Sequence, residues 1–232
     1  MNFSRTLIIK PSSMGDVVQA LPVLTALKET HPRAHVSWLV ATPFAGILEG
    51  HPRLDEVIRF DRKRFGRFSF SLTVAAEFVG FLQDLRRRRF TTVIDLQGLF
   101  RSGLLALATG APTRVGFRGA RELAPLFYTA EVAPPHHAVH AVDRYLALAR
   151  RIGLAPPTAR DHLPIAPAAR SAIRRRLAEA GLAPGEAFLA VCADARWPTK
   201  RWPAERFAAV LERLRAERGA RAVVVGGPDA VD

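Results

Sequence analysis

The sequence predicts an α/β protein made of two parallel-sheet, Rossmann-like units, the second apparently cut short. Three observations predict it. Short apolar runs alternate with longer helical stretches along the 232 residues, as strands joined by helical crossovers do. A segment with four prolines, "LAPPTARDHLPIAPAAR" (154–170), interrupts that alternation and reads as a linker. After it the alternation resumes for two strands only.

The elements follow in order. "TLIIK" (6–10) reads as a buried strand, followed by a helix from about Gly15 to Thr30. Pro22 lies inside that helix and either kinks it or starts its longer part. "HVSWLV" (35–40) and "EVIRF" (56–60) are strands. Residues 71–89 read as a helix ending in four arginines, which suits the negative pole of a helix C-terminus. "TTVIDLQG" (91–98) is a strand ending in a polar turn, "SGLLALATG" (102–110) a short helix closed by Gly110, and "TRVGF" (113–117) a further strand. "HAVDRYLALARRIG" (140–153) is an amphipathic helix with Gly153 at its end. The expected division is a first domain over 1–155, a linker over 156–168 and a partial domain over 169–232. The last contains a helix (169–181), the strand "AFLAVC" (187–192), a helix (203–218) with Phe207, Val210, Leu211 and Leu214 on one face, and the strand "RAVVVGG" (221–227). Two strands are too few to close a core of their own, so this domain reads as incomplete, from either a fragment or a truncated gene.

Composition narrows the partners. No apolar run approaches the roughly 18–20 residues of a membrane span, and the N-terminus lacks the build of a signal peptide. Cys192 is the only cysteine, so no intrachain disulfide forms. It reads as a buried strand residue, and the expected location is the cytoplasm. The net charge of +13 is concentrated at Arg59–Arg67, Arg86–Arg89, Arg114–Arg121 and Arg174–Arg176. These are either solvated faces or sites for an anionic partner such as a phosphorylated lipid headgroup, a nucleotide or a nucleic acid. No helix-turn-helix, zinc-finger or RNP pattern supports the last.

Three loops are candidate sites, because ligands of open α/β sheets gather at the carboxyl ends of strands. In "KPSSMGD", Ser12, Ser13 and Gly15 offer backbone N–H groups at a helix start and Asp16 stands at the mouth. Its alternative role is a first-turn cap. In "IDLQGLFRSG", Asp95 and Gln97 end a strand, and turn chemistry is the alternative reading. In "DARWPTKRWPAERF", Lys200 and a helix start at Pro203 suit a diphosphate, or the loop is merely packed by its tryptophans. Neither a dinucleotide fingerprint nor a P-loop is present. His136, His137 and His140 lack a further ligand and no Asp-x-Asp occurs, so no metal is expected.

The stretches "LIIKPSSMGDVVQALPVLTALK", "VIDLQGLFRSG", "RVGFRGARELAPLFY", "HAVDRY" and "TKRWPAERF" together resemble, in order, the ADP-heptose:lipopolysaccharide heptosyltransferases of glycosyltransferase family 9. The forms "SSMGD" and "DLQGL" are more similar to its heptosyltransferase I branch than to its II branch. The resemblance implies a GT-B fold, two Rossmann-like domains with a cleft between them. It implies inverting transfer of heptose from ADP-heptose to the Kdo of lipid A, with no metal or other cofactor. On that resemblance Asp16 is the general base. Lys200, with Asp194 and Thr199, serves the donor, and Lys10, Ser12, Ser13, Gly15, Gln97, Arg118 and Arg121 serve the acceptor. A monomer, peripheral on the cytoplasmic face of the inner membrane and without a nucleic-acid partner, is the expectation. The family's Asp-Thr-Gly-x-x-His motif does not occur in these 232 residues, so weak or no transfer by this chain is expected. The alternative is a non-catalytic remnant that binds anionic glycolipid.

Overall fold

The protein is described by a computed structural model covering residues 1–66, 71–134, 140–159, 163–193, 195 and 198–226. It divides into two units, Met1–Ile165 and Ala166–Asp232.

The first unit is a six-stranded sheet. Its strands are β1 (Arg5–Ile9), β2 (His35–Ala41), β3 (Glu56–Phe60), β4 (Thr92–Asp95), β5 (Thr113–Phe117) and β6 (Ala130–Val132). They lie in the order β3-β2-β1-β4-β5-β6, and every pairing is parallel. The helices are α1 (Met14–Thr30), α2 (Arg62–Phe65), α3 (Leu72–Arg87), α4 (Phe100–Ala108) and α5 (Ala141–Arg151). Successive strand residues point to opposite faces, and two cores result. Ile8, Trp38, Ile94, Val115 and Phe117 pack with Leu24 of α1 and Leu148 of α5. Leu7, Ile9, Leu39, Phe60 and Val93 pack with Leu85 of α3 and Leu105 of α4. Both faces of the sheet are thus covered, as an all-parallel sheet requires.

Local chemistry moved several boundaries. β4 stops at Asp95, short of Gly98, because the Asp95 carboxylate accepts the amides of Gln97 (2.8 Å) and Gly98 (3.1 Å) and turns the chain. α4 begins at Phe100 instead of Ser102, since the Ser102 hydroxyl caps it by accepting the Leu99 amide at 3.0 Å. α1 begins at Met14 and runs through Pro22, which therefore lies mid-helix and does not start it. The three-residue β6, the four-residue α2 and the 3₁₀ turns Thr42–Ile47 and Ala124–Phe127 are too short to leave a periodic signal. The first part of the proline-rich stretch does not hang free. Leu154 is buried, Ala155 donates its amide to Thr30 Oγ1 (2.9 Å), and the amides of Thr158 and Ala159 donate to Glu29 (2.8 and 2.9 Å), tying the segment to α1.

The second unit contains α6 (Pro167–Glu179), β7 (Phe188–Val191), α7 (Ala204–Arg218) and β8 (Arg221–Val224), with β7 and β8 parallel. Arg221 ties the strand pair to the end of α6, donating to the carbonyls of Gly181 (2.6 Å) and Ala180 (3.1 Å) and pairing with Glu186 (3.2 Å). Among the described residues Leu182 is its only buried apolar side chain, while Phe188, Leu189, Val210 and Val224 stand exposed. Most side chains of the two strands are exposed, as befits a sheet too small to close a core. That also corrects the expectation for Cys192, which follows β7 and is exposed. Among the described residues no helix is long and apolar enough to cross a membrane.

Candidate functional site

The strand order reverses between β1 and β4, so the crevice beyond their carboxyl ends is the topological switch point of the first unit. The loops after these two strands carry the first two candidate motifs. They form a cleft of about 470 Å³ lined by Lys10, Asp16, Gln97, Arg118, Arg121, Arg144 and Tyr145, among others.

Asp16 sits in the first turn of α1, where its Oδ2 accepts the Ser13 amide (2.9 Å) and hydroxyl (2.7 Å). The carboxylate reaching back to the N-cap is half of a capping box, so the structural role holds and fixes the side chain at the cleft mouth. Burial pushes the Asp16 carboxyl up, but the Ser13 hydroxyl and amide and the Lys10 ammonium outweigh it and hold it below its ordinary value. Hydrogen bonds to the charged form favour that form. Ser13→Ala removes one of them and is expected to raise the Asp16 midpoint, as read by carboxyl-carbon NMR titration. An unchanged midpoint would mean that the hydroxyl does not govern the charge.

Lys10 follows β1 and is 5% exposed. Its Nζ donates to the Leu96 carbonyl (3.4 Å) and lies 5.4 Å from the Tyr145 ring centre. Burial lowers the Lys10 ammonium, opposed by Asp16 and Asp95 and assisted by Arg144. The Tyr145 phenol is pushed up to about 12 by burial and by the charge of Asp16, so it remains neutral in the cleft.

Asp95, fully buried, is the scaffold of the second loop. Besides the two amides, its Oδ2 accepts the Tyr128 hydroxyl at 2.7 Å. Burial raises its carboxyl, against the Tyr128 and Ser102 hydroxyls and the two amides. The turn it makes aims the Leu96 carbonyl at Lys10 and gives Gln97 its place, and the Gln97 Oε1 is shielded without a hydrogen-bond partner among the described residues. Tyr128 reaches Asp95 only because residue 116 is glycine. A Cβ on Gly116 would lie 2.2 Å from the Tyr128 ring. Gly116→Ala is expected to cost about 1–3 kcal/mol in chemical denaturation. The loss should not add to that of Tyr128→Phe, since both break the Asp95 contact.

Of the residues singled out in the sequence, Lys10, Asp16, Gln97, Arg118 and Arg121 meet in this cleft. Arg121 is pinned by its amide to the Gly98 carbonyl (3.1 Å), and Arg118 lies 3.9 Å from Glu131. Ser13 holds Asp16. Ser12 lines a neighbouring groove that shares Gln97. Gly15 is an ordinary helical residue with open space where a Cβ would stand. Thr199 and Lys200 belong to the second unit, both exposed, in the 3₁₀ turn Pro198–Lys200. Trp202 there packs edge-on against Phe207 at 4.8 Å. Asp194, His136 and His137 lie outside the described residues. Arg144 and Tyr145 were not singled out. Their signal was the stretch "HAVDRY", which holds both in the first turns of α5. Among the described residues no group of three His, Cys, Asp or Glu side chains is placed to hold a metal.

Residues 79–232 match the family model for glycosyltransferase family 9 (heptosyltransferase). The chain is 36% identical over 169 residues to lipopolysaccharide heptosyltransferase 1 of Escherichia coli K12, a match covering 70% of this chain and 52% of that protein. It is 32% identical over 220 residues to the enzyme of that name from Pseudomonas aeruginosa, covering 93% and 59%. The chain thus spans about half the length of the curated relatives it matches. E. coli heptosyltransferase WaaC with ADP-2-deoxy-2-fluoro heptose superposes with a TM-score of 0.75 at 29% identity, over 97% of this chain and 70% of that one. The family 9 glycosyltransferase of Veillonella parvula has the same fold, with a TM-score of 0.82 at 23% identity.

Proposed function

Because the chain belongs to glycosyltransferase family 9, we propose that it acts in heptose transfer from ADP-heptose to the Kdo of the lipopolysaccharide inner core. The first unit takes the Kdo-lipid A acceptor. The observation that carries this reading is the cleft at the switch point, where one ionised carboxylate, Asp16, faces a rim of cations, Lys10, Arg118, Arg121 and Arg144. Cations recruit the anionic acceptor, and Gln97 lines the same cleft. The Asp16 Oδ1 takes the proton of the attacking hydroxyl as the new bond to the anomeric carbon forms. The bond from that carbon to the diphosphate oxygen breaks on the opposite face, inverting the centre. ADP leaves with the electron pair, and Lys200 with the neighbouring Thr199 and Asp194 serves the donor. A metal is not required where cationic side chains neutralise the leaving group. The site of action is the cytoplasmic face of the inner membrane, where the acceptor lipid lies.

The test is a single-turnover reaction with protein in excess over delipidated Kdo acceptor and with ADP-heptose supplied. Mass spectrometry of the acceptor should show the gain of one heptose, slowly, since these 232 residues lack the Asp-Thr-Gly-x-x-His motif. If the acceptor binds the first unit but gains no heptose at any protein concentration, the chain is a glycolipid-binding remnant. If it does not bind, the reading fails.

A further inference from the structure

A second surface borders the cleft, and nothing in the reaction uses it. The 3₁₀ turn Ala124–Phe127 lies on the start of α4. Gly103 leaves room for the Phe127 ring, which a Cβ there would meet at 2.5 Å, and the Phe100 ring meets Phe127 edge-on at 5.2 Å. This packing turns Phe100, Leu123 and Leu126 outward, at 45%, 66% and 75% exposure. Leu107, further along α4, is 43% exposed. Leu123 is held there by a left-handed backbone, φ 60°, a conformation uncommon for leucine. Beside the patch, Phe60, Leu99, Phe100 and Leu105 line a groove of about 320 Å³ whose charged residues are Arg62, Arg101 and Glu122. The Glu122 carboxylate accepts the Phe100 amide at 3.3 Å, while both arginines are exposed. Gln97 is common to this groove and to the Asp16 cleft.

We propose that Phe100, Leu123 and Leu126, flanked by Arg62 and Arg101, form the surface by which the protein seats on an anionic phospholipid bilayer. The proposal rests on the acceptor reading above. A sugar headgroup can enter the cleft only while its acyl chains stay in the membrane, so the bilayer surface must lie against a face next to the cleft. Apolar side chains within an arginine rim match such an interface, the former entering the acyl boundary and the latter pairing with phosphates. The chain's net charge of +13 acts in the same direction. Exposed apolar clusters with a polar rim mark interaction sites, and the cationic rim selects an anionic partner.

The experiment is flotation of the purified chain with vesicles of phosphatidylethanolamine and phosphatidylglycerol containing no Kdo lipid. It is run at low salt and in molar salt, where the Debye length is only about 3 Å. The wild type should float at low salt and keep a bound fraction in molar salt. The double variant L123S/L126S, altered only at exposed positions, should bind several-fold less at low salt and not at all in molar salt. Circular dichroism verifies its fold, and its single-turnover transfer to delipidated acceptor should match wild type. Failure of the wild type to float, or equal flotation of the variant in both salts, overturns the proposal. A wild-type dimer that the variant dissociates would also overturn it, by assigning the patch to self-association. Because the vesicles lack acceptor and the transfer test lacks a bilayer, failure of one does not imply failure of the other.

Discussion

Replacing Asp16 with asparagine is expected to lower heptose transfer by about 10²–10⁴-fold, the usual contribution of a positioned general base, and to leave acceptor affinity intact. The amide keeps the size and one oxygen for the Ser13 hydrogen bonds, so the loop should hold its shape. What is lost is the basic oxygen. Affinity should stay level or rise, because the substitution removes a negative charge facing an anionic ligand beside Lys10 and the arginines. Single-turnover rates and acceptor titrations separate the two effects. A rate within tenfold of wild type would remove Asp16 from the base role. The pH profile supplies an independent check. Since the Ser13 hydrogen bonds and Lys10 hold the Asp16 carboxyl below its ordinary range, the carboxylate is ionised through mildly acid and neutral pH. The acid limb should therefore fall below the ordinary carboxylate range, with no loss of base between mildly acid and neutral pH. The same sign applies to stability. Asp16 contributes its share fully above the unfolded value and loses it as pH falls through the lower folded value.

Asp95→Ala is expected to be the most damaging single substitution to the fold of the first unit, at about 3–5 kcal/mol. It strands the amides of Gln97 and Gly98 and the Tyr128 phenol, each costing about 1–3 kcal/mol when left buried and unpaired, with partial relief by relaxation. The contacts at stake are the 2.8, 3.1 and 2.7 Å hydrogen bonds. Asp95→Asn keeps an oxygen for the two amides and turns an NH₂ toward Tyr128, whose hydroxyl can accept. Its cost should stay near 1 kcal/mol. Urea denaturation of both variants checks the ranking. Equal midpoints for the alanine variant and wild type would mean that the loop is held by something other than this carboxylate. The alanine variant should also weaken acceptor binding, because the Leu96 carbonyl that anchors Lys10 belongs to the same turn.

Much of the first unit was legible because its elements carry one dominant signal. Buried parallel strands such as "TLIIK" are short apolar runs, and α5 shows its apolar face through Tyr145, Leu148 and Ala149. Asp16 and Gln97 were legible as residues of the candidate cleft because each follows a strand end, which is where this architecture puts ligands. Tyr145 and Arg144 were hidden for the opposite reason. They come from a helix far along the chain, and only packing α5 against α1 brings them to Asp16. Asp95 was visible as a turn residue, but its bond to Tyr128 depends on the bare backbone of Gly116 in the next strand, which no local pattern announces. In the second unit the strands and helices were legible but the burial was not. Cys192 read as a buried strand residue, yet it is exposed beside a two-stranded sheet.

The most direct measurement is an NMR titration of the isotope-labelled chain with the soluble Kdo-bearing headgroup of the acceptor. The account predicts saturable shifts at the amides of Ser13, Gln97, Gly98 and Gly119 and at the Asp16 carboxyl carbon, with β7 and β8 unmoved. No saturable shift, or shifts confined to the second unit, would contradict it, because the cleft at the switch point would then not be where the acceptor binds.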